Sequence, residues 1–290
     1  MRMPENHSLT APLAACVEGR LAPNVALMHL LADAPDEKAA RNALQEFSHA
    51  SSGDTAERLA EVQALWGDLP ELFSVLKRIV ALAESGATSA TDWARIFDRA
   101  AAANPEASVA LYSLGSPELL ARITDELVGR MVEWELFAPD FRVLDLGCGT
   151  GRIANAIAQQ VRSVLALDCS EMMAQLARSA AADLDNVCVV RAAGDNLAFL
   201  HHAVFDTVLA IDSFPYLVQS QLAEAQLAEI ARVLKADGRL LIMNYSYRGD
   251  LARDRADIAQ FAALSGFTVL RHGTSDLTLW DGRAFLLRKA

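Results

Sequence analysis

The sequence lacks any uninterrupted apolar run of the length that a membrane span requires. Charged residues interrupt its apolar stretches well before the roughly 18–20 residues needed to cross a bilayer. The first residues, from Met1 to His7, also lack the basic-then-apolar pattern of a secretory signal peptide. We therefore expect a cytoplasmic protein without a membrane partner.

Cysteines and basic clusters are also scarce. The four cysteines (Cys16, Cys148, Cys169 and Cys188) lie far apart without paired metal-type spacing, so no metal site is predicted. The 26 lysine and arginine residues are outnumbered by 37 aspartate and glutamate residues, which gives a formal net charge of −11. No basic patch stands out. The charge therefore disfavours nucleic acid and acidic proteins as partners, and it favours a small-molecule substrate.

The chain divides into two parts that differ in periodicity. Residues 1–115 show helical spacing broken by proline, glycine and capping residues, which predicts an all-α N-terminal region. Residues 116–290 begin with a long helix and then alternate apolar strands with helices. This alternation predicts an α/β fold with a doubly wound, mostly parallel sheet.

The predicted strands are 142–146, 164–168, 187–191, 205–211, 239–245 and 267–271. Helices are expected between them near 151–161, 170–182, 197–201, 219–235 and 251–265. The Asp281-Gly282 pair, flanked by apolar residues, predicts a tight turn into an antiparallel C-terminal strand.

A glycine-rich turn follows the first predicted strand. It carries glycines at 147, 149 and 151, with Asp145 two residues before the first of them. The dinucleotide-binding fingerprint places its third glycine five residues after the first, where this chain has Arg152. A carboxylate at 145 favours a cationic ligand such as S-adenosylmethionine, with its sulfonium and ammonium groups, over NAD. A plain strand-to-helix turn without a ligand is the alternative.

Polar residues recur where the later predicted strands end, the edge at which open α/β sheets bind ligands. Asp168 ends the second strand, and its carboxylate can accept hydrogen bonds from both hydroxyls of a ribose. Gly194, Asp195 and Asn196 follow the third strand, where an acid or amide can accept from an adenine amino group. Asp212 follows the fourth strand and stands four residues before Tyr216.

Taken in order, these residues resemble the motifs of the class I S-adenosylmethionine-dependent methyltransferases. Residues 143–151 look like the first motif of that family, Asp168 like the acid that ends its second strand, and Gly194-Asp195 like its adenine-side motif. Residues 233–240 resemble the turn before its fifth strand. The resemblance covers about 116–290 and implies a Rossmann-like methyltransferase fold with a reversed C-terminal strand. For the N-terminal helices, a substrate lid and a homodimer contact both stay open.

The resemblance implies transfer of a methyl group from S-adenosylmethionine to a small molecule by direct in-line attack, where positioning supplies much of the rate. The residues that it implies as cofactor contacts are Asp145, Gly147, Cys148, Gly149, Gly151, Asp168, Cys169, Gly194, Asp195, Asn196 and Asp212.

The candidate catalytic residues are Asp212, Tyr216 and His201, and each has an alternative role. Asp212 can instead contact the ammonium end of the cofactor or cap a helix, Tyr216 can line the pocket, and His201 can lie on a solvent-facing loop. Arg248, expected on the same rim, can anchor a substrate acid or pair with Asp250.

Two other functions stay open on the sequence alone. A NAD-linked oxidoreductase shares the strand order and the ribose-binding acid, and a non-catalytic protein-binding module can keep the same fold. The substrate and its accepting atom do not follow from the sequence.

Overall fold

The computed structural model describes residues 8–49, 52–67, 69, 71–84 and 86–290. These residues form two compact units that alternate along the chain. The helical unit contains the described residues before 85, together with 100–123 and 277–281, and the sheet unit contains 86–99, 124–276 and 282–290. The sequence analysis divides the chain into two continuous domains, 1–115 and 116–290. This division stays a prediction, because the two compact units are not continuous in sequence.

The described residues of the helical unit form helices and no strand. Its helices are α1 (Ala11–Val17), α2 (Pro23–Asp33), α3 (Glu37–His49), α4 (Asp54–Gly67), α5 (Leu72–Ala83) and α7 (Pro105–Val109). The centre of the unit is α2, whose side chains Val25, Leu27 and Leu30 are fully buried. Helices α6 (Ala90–Ala103) and α8 (Pro117–Glu133) contribute residues to both units.

The sheet unit contains seven strands, in which apolar runs without alternation predict burial on both faces. They are β1 (Arg142–Leu146), β2 (Ser163–Asp168), β3 (Val187–Arg191), β4 (Phe205–Ile211), β5 (Leu234–Met243), β6 (Phe267–Thr274) and β7 (Ala284–Lys289). Their order across the sheet is β3-β2-β1-β4-β5-β7-β6. Strands β1 to β5 pair in parallel, and β7 is antiparallel to both β5 and β6. The predicted fold class is thus confirmed.

Helices lie on both faces of this sheet. They are α9 (Arg152–Ile157), α10 (Glu171–Ala180), α11 (Phe214–Gln219), α12 (Ala223–Val233) and α13 (Leu251–Ser265). Right-handed crossovers place α9 and α10 on one face and α12 and α13 on the other. The core of the second face includes Leu144, Val208, Ile230 and Phe285, all fully buried. Strands β1 to β5 all end at one edge, and this edge carries the candidate site.

The helix predicted near 197–201 is wrong. The whole crossover 192–204 is described and contains no helix. The Arg232 guanidinium donates hydrogen bonds to the carbonyl oxygens of Leu197 and Leu200, at 2.8 and 2.7 Å. The Leu197 carbonyl also accepts the Leu200 backbone N–H at 2.9 Å, so this stretch is a turn that the arginine ties to α12.

The helix predicted over 219–235 is the shorter α12 (Ala223–Val233), and a separate helix, α11 (Phe214–Gln219), precedes it. Gln221, between them, has a φ of +59°, a left-handed conformation that interrupts helical hydrogen bonding. The predicted strand 239–245 begins earlier, at Leu234, and its register against β4 shifts between Phe205 and Thr207.

The tight turn predicted at Asp281-Gly282 is also wrong, although the reversed strand after it is confirmed. The connection from β6 to β7 runs from 275 to 283, and its residues 277–281 belong to the helical unit. There the Asn24 amide donates to the Leu279 carbonyl at 2.9 Å, and Trp280 stacks on Tyr112 with ring centroids 4.6 Å apart. These contacts hold the segment in a longer loop.

Candidate functional site

The glycine turn joins β1 to α9 in a conformation that requires glycine. Gly147, Gly149 and Gly151 have φ angles of +76°, +56° and +82°, which side chains rarely adopt. A Cβ on Gly147 would overlap the Cβ of Ser213, and one on Gly151 would lie 3.0 Å from the Cβ of Ala177. Without side chains at these three positions, the turn lets a ligand approach the backbone closely at the carboxyl edge of the sheet, while the N–H groups of Gly147 and Gly149 bond to the Leu167 carbonyl and to Asp168.

Asp145 is a buried carboxylate beneath this turn, 1% exposed. The backbone N–H of Ala154, in the first turn of α9, bonds to it, while its Oδ2 atom has no hydrogen-bond partner among the described residues. Burial raises the pKa of Asp145 to about 7, the Arg152 guanidinium opposes this rise, and the Asp168 charge adds to it. A buried carboxylate oxygen without a donor is costly, so this atom fits a cationic or hydrogen-bond-donating ligand group.

Asp168 ends β2 and connects two loops of the site. One of its oxygens accepts from the Gly149 nitrogen at 2.8 Å and the other from the Ser170 nitrogen at 2.9 Å. Burial raises the pKa of Asp168 to about 6, against the lowering effect of these N–H groups. Each carboxylate oxygen has further lone pairs, so both can accept from a ribose hydroxyl as well.

The segment after β3 forms the next part of the edge. A Cβ on Gly194, whose φ is +83°, would lie 3.1 Å from the Cβ of Cys169 and 3.5 Å from that of Ala90. Asp195 and Asn196 are exposed, and the Asn196 amide donates to the Asp195 carboxylate at 2.8 Å. The structure therefore brings Gly194 and Cys169 together and leaves the two polar side chains at the rim.

The two thiols at this edge are poor nucleophiles. Burial is the main cause that raises the pKa of both Cys148 and Cys169. Both therefore stay neutral thiols at physiological pH, which suits packing rather than reaction.

Residues 86–99, from the N-terminal half of the chain, belong to the sheet unit and complete this edge. The Asp98 carboxylate accepts from the Ser170 hydroxyl at 2.6 Å and from the Met172 nitrogen at 3.0 Å, at the start of α10. Sequence reasoning missed this role. Trp93 and Phe97 are four residues apart and so share a helix face, but this spacing does not reveal which element they pack against.

Asp212, at the end of β4, lies in a polar and aromatic cluster. Its Oδ1 atom accepts from the Tyr247 hydroxyl at 2.5 Å and from the Asn244 amide at 3.0 Å. The Tyr247 ring packs edge-on to Tyr216 with centroids 5.9 Å apart, and their side chains hydrogen bond. Burial and the nearby Asp212 carboxylate raise the pKa of Tyr216, so its phenol stays protonated. The structure thus brings the predicted pair Asp212 and Tyr216 together.

Two aromatic residues of α6 line the same cluster. The Trp93 and Phe97 ring centroids lie 4.6 and 4.9 Å from that of Tyr216. Trp93 is 4% exposed, and its indole N–H has no acceptor among the described residues. An apolar wall with one unpaired donor beside a carboxylate is suited to hold an organic molecule that carries a hydrogen-bond acceptor.

His201 lies elsewhere. It lines a groove with Arg142, Arg162 and Phe205, where strands β1, β2 and β4 begin. Because His201 precedes β4 and Asp212 follows it, the strand separates the two residues. The structure therefore does not bring His201 to Asp212 and Tyr216.

Arg248 pairs with other acids than the predicted Asp250. Its guanidinium contacts Asp254 and Asp257, the latter at 2.7 Å, and Asp250 instead caps α13 by accepting from the Arg253 nitrogen at 2.9 Å. These contacts fix the loop that carries Tyr247. Among the described residues, no cluster of histidine, cysteine and acidic side chains could hold a metal ion, and no helix is long and apolar enough to cross a membrane.

Known proteins resemble this chain over the same segment. Residues 143–238 match the family described as methyltransferase domain. The chain is similar to an uncharacterized methyltransferase, YcgJ, from Bacillus subtilis (strain 168), with 29% identity over 122 residues, or 41% of this chain and 47% of the relative. It is also 35% identical over 105 residues to a demethylmenaquinone methyltransferase from Clavibacter sepedonicus, which covers 36% of this chain and 41% of that protein. The matches thus span less than half the length of these curated relatives.

Among solved structures, the [4+2]-cyclase SpnF superposes with a TM-score of 0.52 and 19% identity, covering 70% of this chain and 97% of that chain. At this identity the likeness concerns the fold alone. The glycine turn and Asp168 both lie within the matched residues 143–238. Residues 143–238, which carry the glycine turn and Asp168, are therefore similar to the methyltransferase-domain family.

Proposed function

We propose that this protein transfers a methyl group from S-adenosylmethionine to a small-molecule acceptor. The observation that carries the cofactor assignment is the Oδ2 atom of Asp145, a buried carboxylate oxygen with no donor among the described residues. An ammonium or N–H group of a cationic cofactor would supply that donor. A dinucleotide would bring a pyrophosphate to the same turn, and its negative charge would be repelled.

The residues present fit such a cofactor at four points. Asp145 would meet a cationic or donating group, the backbone of Gly147 and Gly149 would allow close approach, and Asp168 would accept from ribose hydroxyls. The loop at Gly194 to Asn196 would border the adenine. When bound, S-adenosylmethionine supplies an electrophilic methyl group on its sulfonium.

The acceptor would lie against Trp93, Phe97 and Tyr216. These rings exclude water and fix the orientation of an organic molecule, and alignment of the two reacting groups can supply up to roughly 7–11 kcal/mol of the barrier reduction. Asp212 is held in place by hydrogen bonds from Tyr247 and Asn244. Its carboxylate can take up a proton when the methyl-accepting atom of the small molecule must lose one. The net charge of −11 supports a small molecule over nucleic acid.

Isothermal titration of the full chain with S-adenosylmethionine, its demethylated product S-adenosylhomocysteine and NAD tests this proposal. We expect both sulfur compounds to bind at least a hundredfold more tightly than NAD. Asp145→Asn should weaken S-adenosylmethionine binding at least tenfold, while Asp183→Asn, at an exposed site after α10, should leave it unchanged. Tighter binding of NAD would favour an oxidoreductase, and binding of none of the three would favour a protein-binding module.

A further inference from the structure

The crossover 192–204 leaves part of a sheet face uncovered. It carries no helix, and right-handed crossovers place it opposite α9 and α10, on the face that α12 and α13 cover elsewhere. Within it, Leu197 is buried, while Phe199 is 55% exposed. The sheet surface over β2 and β3, beside Phe199, is therefore open.

A groove of about 560 Å³ occupies this opening. Its apolar lining includes Leu165 of β2, together with Phe199 and Leu200 of the crossover. Cys188, which is exposed and is the register partner of Leu165, lies at the same place. The volume is within the range of pockets that hold small organic ligands.

Positive charge borders one end of the groove. Arg142 and Arg162 both line it, and in the described part of the chain neither guanidinium pairs with a carboxylate or donates a hydrogen bond. The Asp206 carboxylate accepts the Arg142 backbone N–H at 2.8 Å and pairs with Lys235 at 2.7 Å. Lys235 therefore balances the charge of the Asp206 carboxylate.

The lining holds more cationic than anionic groups. His201 also lines the groove, and Asp185 is the acid that lines it. Two arginines and a histidine that can donate hydrogen bonds outweigh this single carboxylate. The chain as a whole has a net charge of −11, yet here two unpaired arginines lie beside the exposed ring of Phe199. Such guanidinium groups are suited to bind a carboxylate or a phosphate.

We infer that this groove binds an amphipathic anion, a molecule with one carboxylate or phosphate group and an apolar body. The arginines would take the anionic group, in bidentate geometry, and Leu165, Phe199 and Leu200 would cover the apolar body. The groove lies where β1, β2 and β4 begin, whereas the glycine turn and Asp168 lie where strands end. The two ligands therefore bind at opposite edges of the sheet and do not compete for one site.

Cys188 provides a direct readout that does not depend on methyl transfer. The rate of its alkylation by N-ethylmaleimide, followed by peptide mass spectrometry, is measured with decanoate, decyl phosphate, decyltrimethylammonium or inorganic phosphate. We expect decanoate or decyl phosphate to slow the reaction at Cys188 at least tenfold at saturation. Comparison of these two anions distinguishes a carboxylate from a phosphate ligand. Inorganic phosphate should protect little, because it lacks the apolar body.

Matched variants separate the two parts of the site. Arg142→Gln combined with Arg162→Gln should raise the concentration needed for half-protection at least tenfold, while Arg253→Gln combined with Arg288→Gln, both exposed elsewhere in the sheet unit, should not change it. Phe199→Ser should have the same effect as the groove pair, and Leu264→Ser, at another exposed apolar position, should have none. Unchanged thermal midpoints would establish that the variants fold.

Three results would overturn the inference: equal protection by decyltrimethylammonium, retained protection in the Arg142 and Arg162 double variant, or no protection by any probe. None of them bears on the cofactor site. Conversely, failure of S-adenosylmethionine to bind would leave protection of Cys188 unaffected.

Discussion

The carboxylate of Asp168 lies 2.8 Å from the backbone nitrogen of Gly149, so the end of β2 is tied to the middle of the glycine turn. Its other oxygen accepts from Ser170 at the start of α10, and the Ser170 hydroxyl in turn donates to Asp98. Motifs that lie far apart in the sequence are thus one hydrogen-bonded unit. A change at any of these positions affects the shape of the others.

Asp168→Ala tests this unit through ligand binding. It removes the acceptor of two backbone N–H groups and the group proposed to hold the ribose hydroxyls. We expect the dissociation constant for S-adenosylhomocysteine to rise at least tenfold, measured by isothermal titration. The exposed Asp183→Ala serves as the control, and undiminished binding in Asp168→Ala would remove this carboxylate from the cofactor site.

The buried Asp145 makes the stability of the protein depend on pH. Its pKa is about 7 in the folded chain and 3.8 as the ordinary value. Between these values the folded state holds a proton that the unfolded chain has released, so the contribution of Asp145 to stability falls as pH rises from about 4 to about 7. Asp145→Asn should therefore be more stable than the parent at pH 8, by about 2–4 kcal/mol, and nearly equal to it at pH 4.

Urea unfolding of both proteins at pH 4, 6 and 8 measures this difference. Because other titrating groups are common to both proteins, the difference between them isolates Asp145. A difference that stays constant across the three pH values would show that Asp145 is ionised throughout.

Gly147→Ala should destabilise the protein by at least about 2 kcal/mol. The new methyl group would overlap the Cβ of Ser213, and the φ of +76° is unfavourable for alanine. Gly129→Ala is the matched control, because Gly129 lies inside α8 without a positive φ, and a methyl group added there would meet no atom within 4 Å. There alanine should stabilise by about 0.5–1 kcal/mol. Equal thermal midpoints for the two variants would contradict the strained geometry of the turn.

The sequence predicted the sheet well because its signals are local. Strands such as β1 and β4 are short apolar runs, and the glycines of the turn occur at fixed spacing. The doubly wound class of the sheet and the position of Asp168 at the carboxyl end of β2 follow from alternation and handedness. These parts of the structure need no knowledge of distant contacts.

The remaining features depend on contacts between residues far apart in the chain. The turn at 197–200 is tied to Arg232, more than thirty residues away, and the segment at Asp281 is held in a longer loop where Trp280 stacks on Tyr112. Likewise, the placement of Trp93 and Phe97 against Tyr216 joins segments more than a hundred residues apart, and no local pattern specifies it.

The bond between Tyr247 and Asp212 can be measured with a double-mutant cycle. Tyr247→Phe removes the hydroxyl that donates to the Asp212 carboxylate at 2.5 Å and keeps the ring that packs on Tyr216. A hydrogen bond to a charged group contributes about 1.5–3 kcal/mol, so the variant should lose about this much free energy of unfolding.

Tyr245→Phe is the control, since no hydrogen bond of that hydroxyl occurs among the described residues, and it should change stability by less than about 0.5 kcal/mol. When Asp212→Asn is added, the two losses should be non-additive by at least about 1 kcal/mol, because both remove the same bond. Strictly additive losses would mean that the Tyr247 hydroxyl stabilises the protein through its hydrogen bond with Tyr216 and does not hold the Asp212 carboxylate in place.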